Sequence, residues 1–458
     1  MNFLTTDVRC DLTRLERTNM VTKLEDRVKI DLVALSKLIL DNLSSCDPDS
    51  LPHAPDLLKR IAVQFNQGAL LQYQYGEIER AETLCRASIE FFAELSSHSE
   101  HRSLCLSNMV APYVNLARIY GQKGEVKESL SIFEDVYRFG LQQQDLYMFG
   151  HRIPAAEVPA IIAVSEPTFP KLLLSCRVVE AARVLQTVED YSALFTLVET
   201  NASLPEYQDP FFRQYLLEVK SRALLHLRQY DMAIQALEEC CRLMSSTNTD
   251  RIVAHLLLSQ IYRESERAEL AAETLNKLEE HLGAVEQFVR RLPILRQIAY
   301  RLALERYEMG DHTGALAPAE KAFRWCRELN DQPGNVKAAI LLLRVSSGDS
   351  VRQWYEELRQ LASVTAFRLE RACAYWELGL SGEQEESSSF LEKSYELYRS
   401  VPFVDSRRSG AAVKRSLDVR VGTRGGHRVP PLQVAPGSSS IDSTFEALMQ
   451  YVPQVSVC

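Results

Sequence analysis

One short pattern of residue types, called here the repeat order, recurs along the middle of this 458-residue chain. In its clearest form, between Leu116 and Tyr137, a small residue is followed by an aromatic, a turn glycine, a second small residue and a second aromatic. These residues are Ala117, Tyr120, Gly124, Ser129 and Phe133. Small side chains let two antiparallel helices approach closely, and glycine can end the first helix in a left-handed turn. The order therefore predicts a pair of antiparallel helices.

Five further segments repeat this order in whole or in part. Their small residues are Ala69 and Ala81, Ala182, Ser221 and Ala233, Ser259 and Ala271, and Ala303 and Ala315. One helix pair cannot bury its apolar face alone, so successive pairs stack into an array. The chain is also poor in chain breakers, with 18 Gly and 18 Pro, whereas an all-β fold needs frequent turns. We therefore expect an all-α fold.

This order resembles the tetratricopeptide repeat over roughly residues 60–400. Repeat starts are spaced by about 38–48 residues, where the family standard is 34. The proline near the end of the standard unit is mostly absent. The resemblance implies a right-handed α-solenoid of antiparallel helix pairs, built from lengthened and degenerate repeats. An irregular helical bundle with chance matches is the alternative.

Prolines divide the chain before and within the array. Residues 1–55 are predicted to hold an N-terminal amphipathic helix and a loop, and residues 56–141 form the first repeat block. A proline-rich connector follows at 142–172, with a short helix near 155–164, because prolines at this density cannot lie inside one helix. The connector is either a linker packed on the solenoid or an aromatic-rich loop that projects into its groove. The second repeat block covers residues 173–400.

The character of the chain changes after Val401. Residues 401–458 hold seven Lys and Arg against four Asp and Glu, and they are enriched in Gly and Pro. We expect a basic, largely disordered tail that ends in a short amphipathic segment at 440–451. An alternative reading frame or a spliced end would produce the same abrupt change.

Charge and cysteine usage restrict the partners and the compartment. The net charge of −9 disfavours direct nucleic-acid binding, which needs a basic face against phosphate. The N-terminal residues lack a signal-peptide pattern, and the sequence contains no apolar window long enough to cross a membrane. The ten cysteines, none in a C-x-x-C pair, are then read as reduced thiols. We expect an intracellular protein, cytoplasmic or nuclear, without a membrane partner.

Motifs that carry chemistry are missing from the sequence. It contains no H-E-x-x-H, no phosphate-binding G-x-x-x-x-G-K-[ST] and no G-x-S-x-G. His98 and His101 are one turn apart, but they fall in a serine-rich stretch typical of a surface turn. We expect no catalytic residue, no cofactor and no metal site, although a site gathered from distant helices leaves no local motif.

The resemblance implies a binding groove on the concave face, lined by the first helix of each pair. The repeat register carried over to this chain predicts the groove residues Asn66, Tyr73, Gln74, Arg118, Gln122, Tyr215, Arg222, His226, Gln260, Arg263, Tyr300 and Tyr307. Amide and guanidinium groups can hydrogen-bond a peptide backbone, and tyrosine adds contact area. Any exposed helical face has a similar polar composition, which is the alternative interpretation of these residues.

The leading functional hypothesis is a non-catalytic scaffold or adaptor that binds a protein or peptide in this groove, either alone or as a subunit of a larger complex. A peptide-responsive regulatory sensor of the tetratricopeptide type is the first alternative. A helical enzyme or biosynthetic accessory factor with a dispersed active site is the second.

Overall fold

A computed structural model describes six stretches of the chain, which are residues 54–97, 101–165, 167–243, 249–286, 292–382 and 384–422. The predicted helix before residue 54 and the predicted amphipathic segment at 440–451 lie outside these residues. Apart from one β-hairpin, the regular structure of the described residues is helical. No helix among them is long and apolar enough to cross a membrane.

The helices follow one another in antiparallel pairs. The N-terminal half contains α1 Ala54–Gln74, α2 Ile78–Ser96, α3 Arg102–Lys123, α4 Val126–Gly140, α5 Val158–Val164, α6 Phe169–Ser175, α7 Ala181–Thr187 and α8 Tyr191–Asn201. The C-terminal half contains α9 Pro210–His226, α10 Tyr230–Leu243, α11 Thr249–Glu264, α12 Ala268–Glu286, α13 Leu292–Glu308, α14 His312–Glu328, α15 Gln332–Val345, α16 Asp349–Val364, α17 Arg368–Ser381, α18 Gln384–Ser400 and α19 Val404–Gly422.

The small residues of the repeat lie where the two helices of each pair meet, as the sequence predicts. All of those named above are buried. The hydroxyl of Ser221 on α9 donates to the carbonyl of Ala233 on α10 at 2.8 Å. The hydroxyl of Ser129 on α4 likewise donates to the carbonyl of Ala117 on α3 at 2.7 Å. Helix backbones come this close only where no larger side chain separates them, so the small residues set the packing of each pair.

The first helix of each of six pairs ends in the same left-handed turn. The turn residue has φ between 60° and 86° in every case, and the six residues are Gly76, Gly124, Glu189, Arg228, Glu266 and Gly310. At the second pair, the amide of Gly124 donates to the carbonyl of Gly121 and the amide of Glu125 donates to that of Tyr120. This arrangement is the Schellman motif. Its recurrence confirms that one helix-pair unit is repeated along the chain.

Successive pairs stack through their first helices. α1 packs on α3, α3 on α7, α9 on α11, α11 on α13, α13 on α15 and α15 on α17. These contacts are more extensive than those between successive second helices. We call the side of the array formed by these successive first helices the inner face, which is the side on which the repeat register predicts a groove.

The connector contains more structure than the single predicted helix. Strands β1 Leu146–Met148 and β2 His151–Ile153 form an antiparallel hairpin. A 3-10 turn, Ala155–Glu157, then leads into α5, which packs on α3. Phe149 and Gly150 both have positive φ, the conformation that a tight hairpin turn requires.

The next first helix begins inside the predicted connector. α6 starts at Phe169, and a π-helical turn over Cys176–Glu180 joins it to α7. These three elements form the first helix of a pair whose second helix is α8. Pro167 and Pro170 therefore stand at the beginning of this helix, where proline costs no hydrogen bond.

The composition of residues 401–458 predicts a largely disordered tail, whereas residues 404–422 form helix α19. α19 packs against α18, and its Val413 is buried together with Val401 and Phe403 just before it. The basic residues Arg407 and Arg408 bond to distant parts of the chain. Because this segment is rich in Arg, Gly and Ser, its composition does not indicate the apolar contacts that it makes.

The last pairs of the array contact the first. Phe403 lies against Tyr73 of α1 with ring centroids 5.0 Å apart, and Phe367 lies against Tyr75 at 5.1 Å. Leu369 and Val413 belong to the same buried apolar cluster as α1–α4. The array thus closes on itself, with its described C-terminal end seated on its first helix pairs.

Candidate binding groove

The inner face begins with a buried polar network between α3 and α7. Arg118 makes a bidentate ion pair with Glu180, with nitrogen–oxygen distances of 2.8 and 2.7 Å. Its third donor reaches Asn115 Oδ1 at 2.7 Å, and Asn115 Nδ2 lies 3.4 Å from Asn66 Oδ1. The Arg118 side chain is only 7% exposed and that of Glu180 only 1%. The structure therefore places Arg118 in the packing of α3 against α7.

The electrostatics of Glu180 fit this role. Burial alone raises the pKa of a carboxyl, but the charges of Arg118 and Arg183 and their hydrogen bonds outweigh that effect and lower the pKa of Glu180 to about 2. Gln122 is buried beside this network and donates to Thr187 Oγ1 at 3.1 Å. Between α3 and α7, the buried charged and polar side chains of the inner face therefore bond one another.

Sequence reasoning missed Glu180, Arg183 and Thr187, although a signal for two of them existed. Arg183 and Thr187 stand one and five residues after the small residue Ala182. Arg118 and Gln122 have the same offsets from Ala117. The weak third copy of the repeat therefore obeys the register of the second. Glu180 lies on the π-helical turn, whose position no repeat pattern predicts.

The predicted residues Tyr73, Gln74 and Asn66 of α1 are partly buried. Tyr73 is covered on one side by Phe403. The C-terminal segment thus occupies part of the inner face that the register assigned to α1.

The middle of the inner face runs along α9. Tyr215 donates to the carbonyl of Val179 at 3.3 Å, and burial raises the pKa of its hydroxyl. Arg222 bonds Glu218 one turn away at 2.8 Å. His226 stacks on Tyr191, with ring centroids 3.8 Å apart and planes 10° apart, and burial lowers the pKa of its imidazole. These side chains stay partly exposed.

The following helices, α11 and α13, bring together acidic and basic groups. Gln260 donates to Glu264 Oε1 at 3.1 Å, and Arg263 Nε lies 3.4 Å from Glu305 Oε2. Burial raises the pKa of Glu305 to about 7; the charge of Arg263 opposes this shift and that of Glu308 adds to it. The repeat register predicts Arg263 on the inner face but not its partner, because Glu305 belongs to the next helix pair.

The predicted groove residues Tyr300 and Tyr307 lie on α13, and both interact electrostatically with Arg344 on α15. Arg344 Nε and Nη2 bind Glu377 of α17 at 3.0 and 2.7 Å. Both partners of this ion pair lie after Ala315, which is in the last segment where the repeat order recurs, so the register does not predict them. Within the described residues, no group of three or more His, Cys, Asp and Glu side chains is placed to hold a metal ion.

No protein-family model matches the sequence, and no curated protein matches it. Among solved structures, 74% of this chain matches 63% of a STAND protein with a tetratricopeptide repeat sensor from Pyrococcus horikoshii, at 14% identity and a TM-score of 0.38. The chain thus spans less than two thirds of that protein. Yeast Tom70 matches over 86% of each chain, at 11% identity and a TM-score of 0.33. The P58(IPK) tetratricopeptide repeat domain matches 85% of this chain and 97% of its own length, at 12% identity and a TM-score of 0.20.

TM-scores this low do not establish a shared fold, and the helix pairs of this chain themselves define its architecture. Those pairs combine the small-residue contact, the repeated left-handed turn and the stacked first helices. The fold is a tetratricopeptide-like α-solenoid.

Proposed function

We propose that this chain is a non-catalytic interaction scaffold that binds a peptide or an extended segment of a partner protein along α9, α11 and α13. The observation that carries the proposal is the row of partly exposed polar and aromatic side chains on these first helices. It includes Arg222, His226, Gln260, Glu308 and Tyr307.

The preceding part of the inner face is a poor binding surface. Arg118 and Gln122 already direct their donors at Glu180, Asn115 and Thr187. A ligand that drew Arg118 away would remove one of the two arginines that compensate the buried charge of Glu180, which is costly. We therefore assign these two residues to the packing of the array and leave them out of the proposed contact surface.

The charges along α9 to α13 define the chemistry of the partner segment. Arg222 alternates with Glu218, and Arg263 with Glu264 and Glu305. A face with both signs of charge fits a segment of mixed charge better than a purely acidic or basic one. Gln260 can pair with a peptide carbonyl or amide, and Tyr307 supplies area with little loss of side-chain freedom.

Affinity purification with quantitative mass spectrometry tests the proposal on three full-length chains. The inner-face variant Gln260→Ala/Glu308→Ala removes one amide and one carboxylate. The matched control Gln235→Ala/Glu238→Ala removes the same groups from exposed positions of α10. Proteins held by the native chain and the control should be lost from the inner-face variant. Equal recovery with all three chains would contradict the proposal.

A further inference from the structure

Three successive left-handed turns on one edge of the array are contacted by the C-terminal helices. These turns are at Gly76, Gly124 and Glu189, and each ends a first helix. Arg368 pairs with Glu77 beside the first turn. Arg407 contacts the second turn and Arg408 the third. We propose that these three arginines form a releasable clasp that holds the two ends of the array together.

The geometry of the clasp follows from the ends of the helices it contacts. Arg407 Nη2 donates to the carbonyl of Lys123 at 2.7 Å. Arg408 Nη1 donates to the carbonyl of Thr187 at 3.2 Å and to Glu189 Oε1 at 2.9 Å. The last carbonyls of a helix have no partner within it and carry partial negative charge. Two adjacent arginines of α19 thus cap two neighbouring first helices, α3 and α7.

Apolar contacts complete the clasp between the arginines. Phe403 and Phe367 lie against Tyr73 and Tyr75. Val401 packs so closely over Gly76 that a Cβ atom added there would come within 2.9 Å of its side chain. These contacts are specific to the clasped turns, because a Cβ added at the equivalent Gly310 would meet nothing within 4 Å.

The charged contacts of the clasp are more exposed to solvent than the small-residue contacts inside the helix pairs that it joins. Arg408 is 41% exposed and Glu189 57%, while Arg368 and Glu77 are 30% exposed each. Water and salt therefore compete for these charges. Each helix pair, in contrast, is held by its own buried small-residue contact. Opening would separate α19 from α3 and uncover Tyr73 on the inner face. That last consequence for partner binding rests on the proposed function, whereas the opening itself does not.

Hydrogen–deuterium exchange on the full chain tests the clasp without any partner. In Arg407→Glu/Arg408→Glu, the new carboxylates face helix carbonyls and Glu189. The amides of the turns at Gly124 and Glu189 should then exchange at least severalfold faster, and small-angle scattering should give a larger radius of gyration. The turn at Gly310 is the internal reference and should not change. Lys414→Glu/Arg415→Glu makes the same charge change at exposed positions of α19 and should behave like the native chain.

A charge swap keeps the test decisive if the first variant loses helix α19 altogether. Glu77→Arg and Arg368→Glu should each speed exchange at the Gly76 turn, and the double variant should restore the native rate because the ion pair is remade in reverse. Native exchange rates in both single variants and in Arg407→Glu/Arg408→Glu would overturn the clasp. So would an equal effect of Lys414→Glu/Arg415→Glu. Because these variants leave α11 and α13 untouched, failure of the clasp and failure of the proposed function are distinguishable.

Discussion

At the scale of single residues, the volume of a few side chains decides how the helices meet. Ala271 on α12 is fully buried and lies opposite Ser259. The Ser259 hydroxyl donates to the carbonyl oxygen of Ala271 at 3.4 Å. A methyl group fills this contact and leaves no room for a larger side chain. The neighbouring Ala272 is only partly buried, so two adjacent alanines on one helix have different roles.

We expect Ala271→Leu to destabilise the chain by about 1–3 kcal/mol, because added methylenes in a packed contact force the helices apart. Ala272→Leu makes the same chemical change one residue further on and should cost less. Chemical denaturation of the two variants measures the difference. Equal midpoints would show that the repeat register is misplaced.

The buried carboxylate Glu180 gives a second prediction at this scale, concerning pH. Its pKa in the fold is about 2, below the usual value of a carboxyl, so the unfolded chain binds the proton more readily. The stabilising effect of Glu180 is complete above about pH 5 and should be lost as the pH falls towards 2.

Glu180→Gln should remove that acid dependence. At neutral pH it should destabilise the protein by about 3–5 kcal/mol, since it leaves two arginines without their carboxylate partner. The control Glu273→Gln breaks an exposed pair with Lys277 and should have little effect on stability, because water screens such pairs. Unfolding free energies between pH 2 and 7 provide the measurement. A steep acid limb retained in Glu180→Gln would mean that other carboxylates dominate.

At the scale of elements, the same turn performs two functions. The Schellman turn ends six of the first helices, and in the first three pairs it is also a contact surface for the C-terminal segment. Gly124 and Gly310 have nearly equal φ, 86° and 81°. Their surroundings differ, because only Gly124 lies against Val404 and Arg407.

Comparison of Gly124→Ala with Gly310→Ala separates these functions. Both variants bear the cost of a left-handed alanine, about 1–2 kcal/mol. Gly124→Ala should be the more destabilising, because its Cβ would stand 2.9 Å from Val404 Cγ2. Thermal denaturation of the pair checks this, and equal losses would indicate that the two ends are not in contact at Gly124.

At the scale of the whole molecule, closure makes the C-terminal helices part of the N-terminal core. Tyr398, Val401, Phe403 and Val413 belong to the cluster that also holds the apolar residues of α1–α4. A solenoid with separated ends would be stabilised only by contacts between neighbouring pairs. Here residues nearly 300 positions apart, such as Glu77 and Arg368, stabilise one another.

Two truncations test this dependence. A chain that ends at Ser400 loses Val401, Phe403 and Val413, and each apolar side chain exposed or removed costs about 1.5–3 kcal/mol. It should therefore melt at a clearly lower temperature than the full chain. A chain that ends at Gly422 keeps α19 and should melt close to it. Identical melting of all three would show that the N-terminal pairs do not depend on α19.

The sequence by itself determined the repeating unit. Small residues such as Ala117 and Ser129, with a turn residue between them, are sufficient to predict a helix pair, because packing and turn formation act within about 20 residues. The resemblance to the tetratricopeptide repeat implied the inner positions of Arg222, Gln260 and Tyr307, whose role as a partner surface stays a prediction.

Only the tertiary structure decided which of the predicted inner-face side chains already bond to other residues of the chain. It also decided what the C-terminal helices of the array contact. Arg118 meets Glu180, Arg263 meets Glu305, and Arg408 reaches the turn at Glu189. Each of these contacts depends on how far the stacked pairs curve, which accumulates over many small rotations that no local pattern specifies. For this reason residues 404–422, whose composition resembles that of a loose tail, form a helix in the folded chain that packs against the first helix pairs.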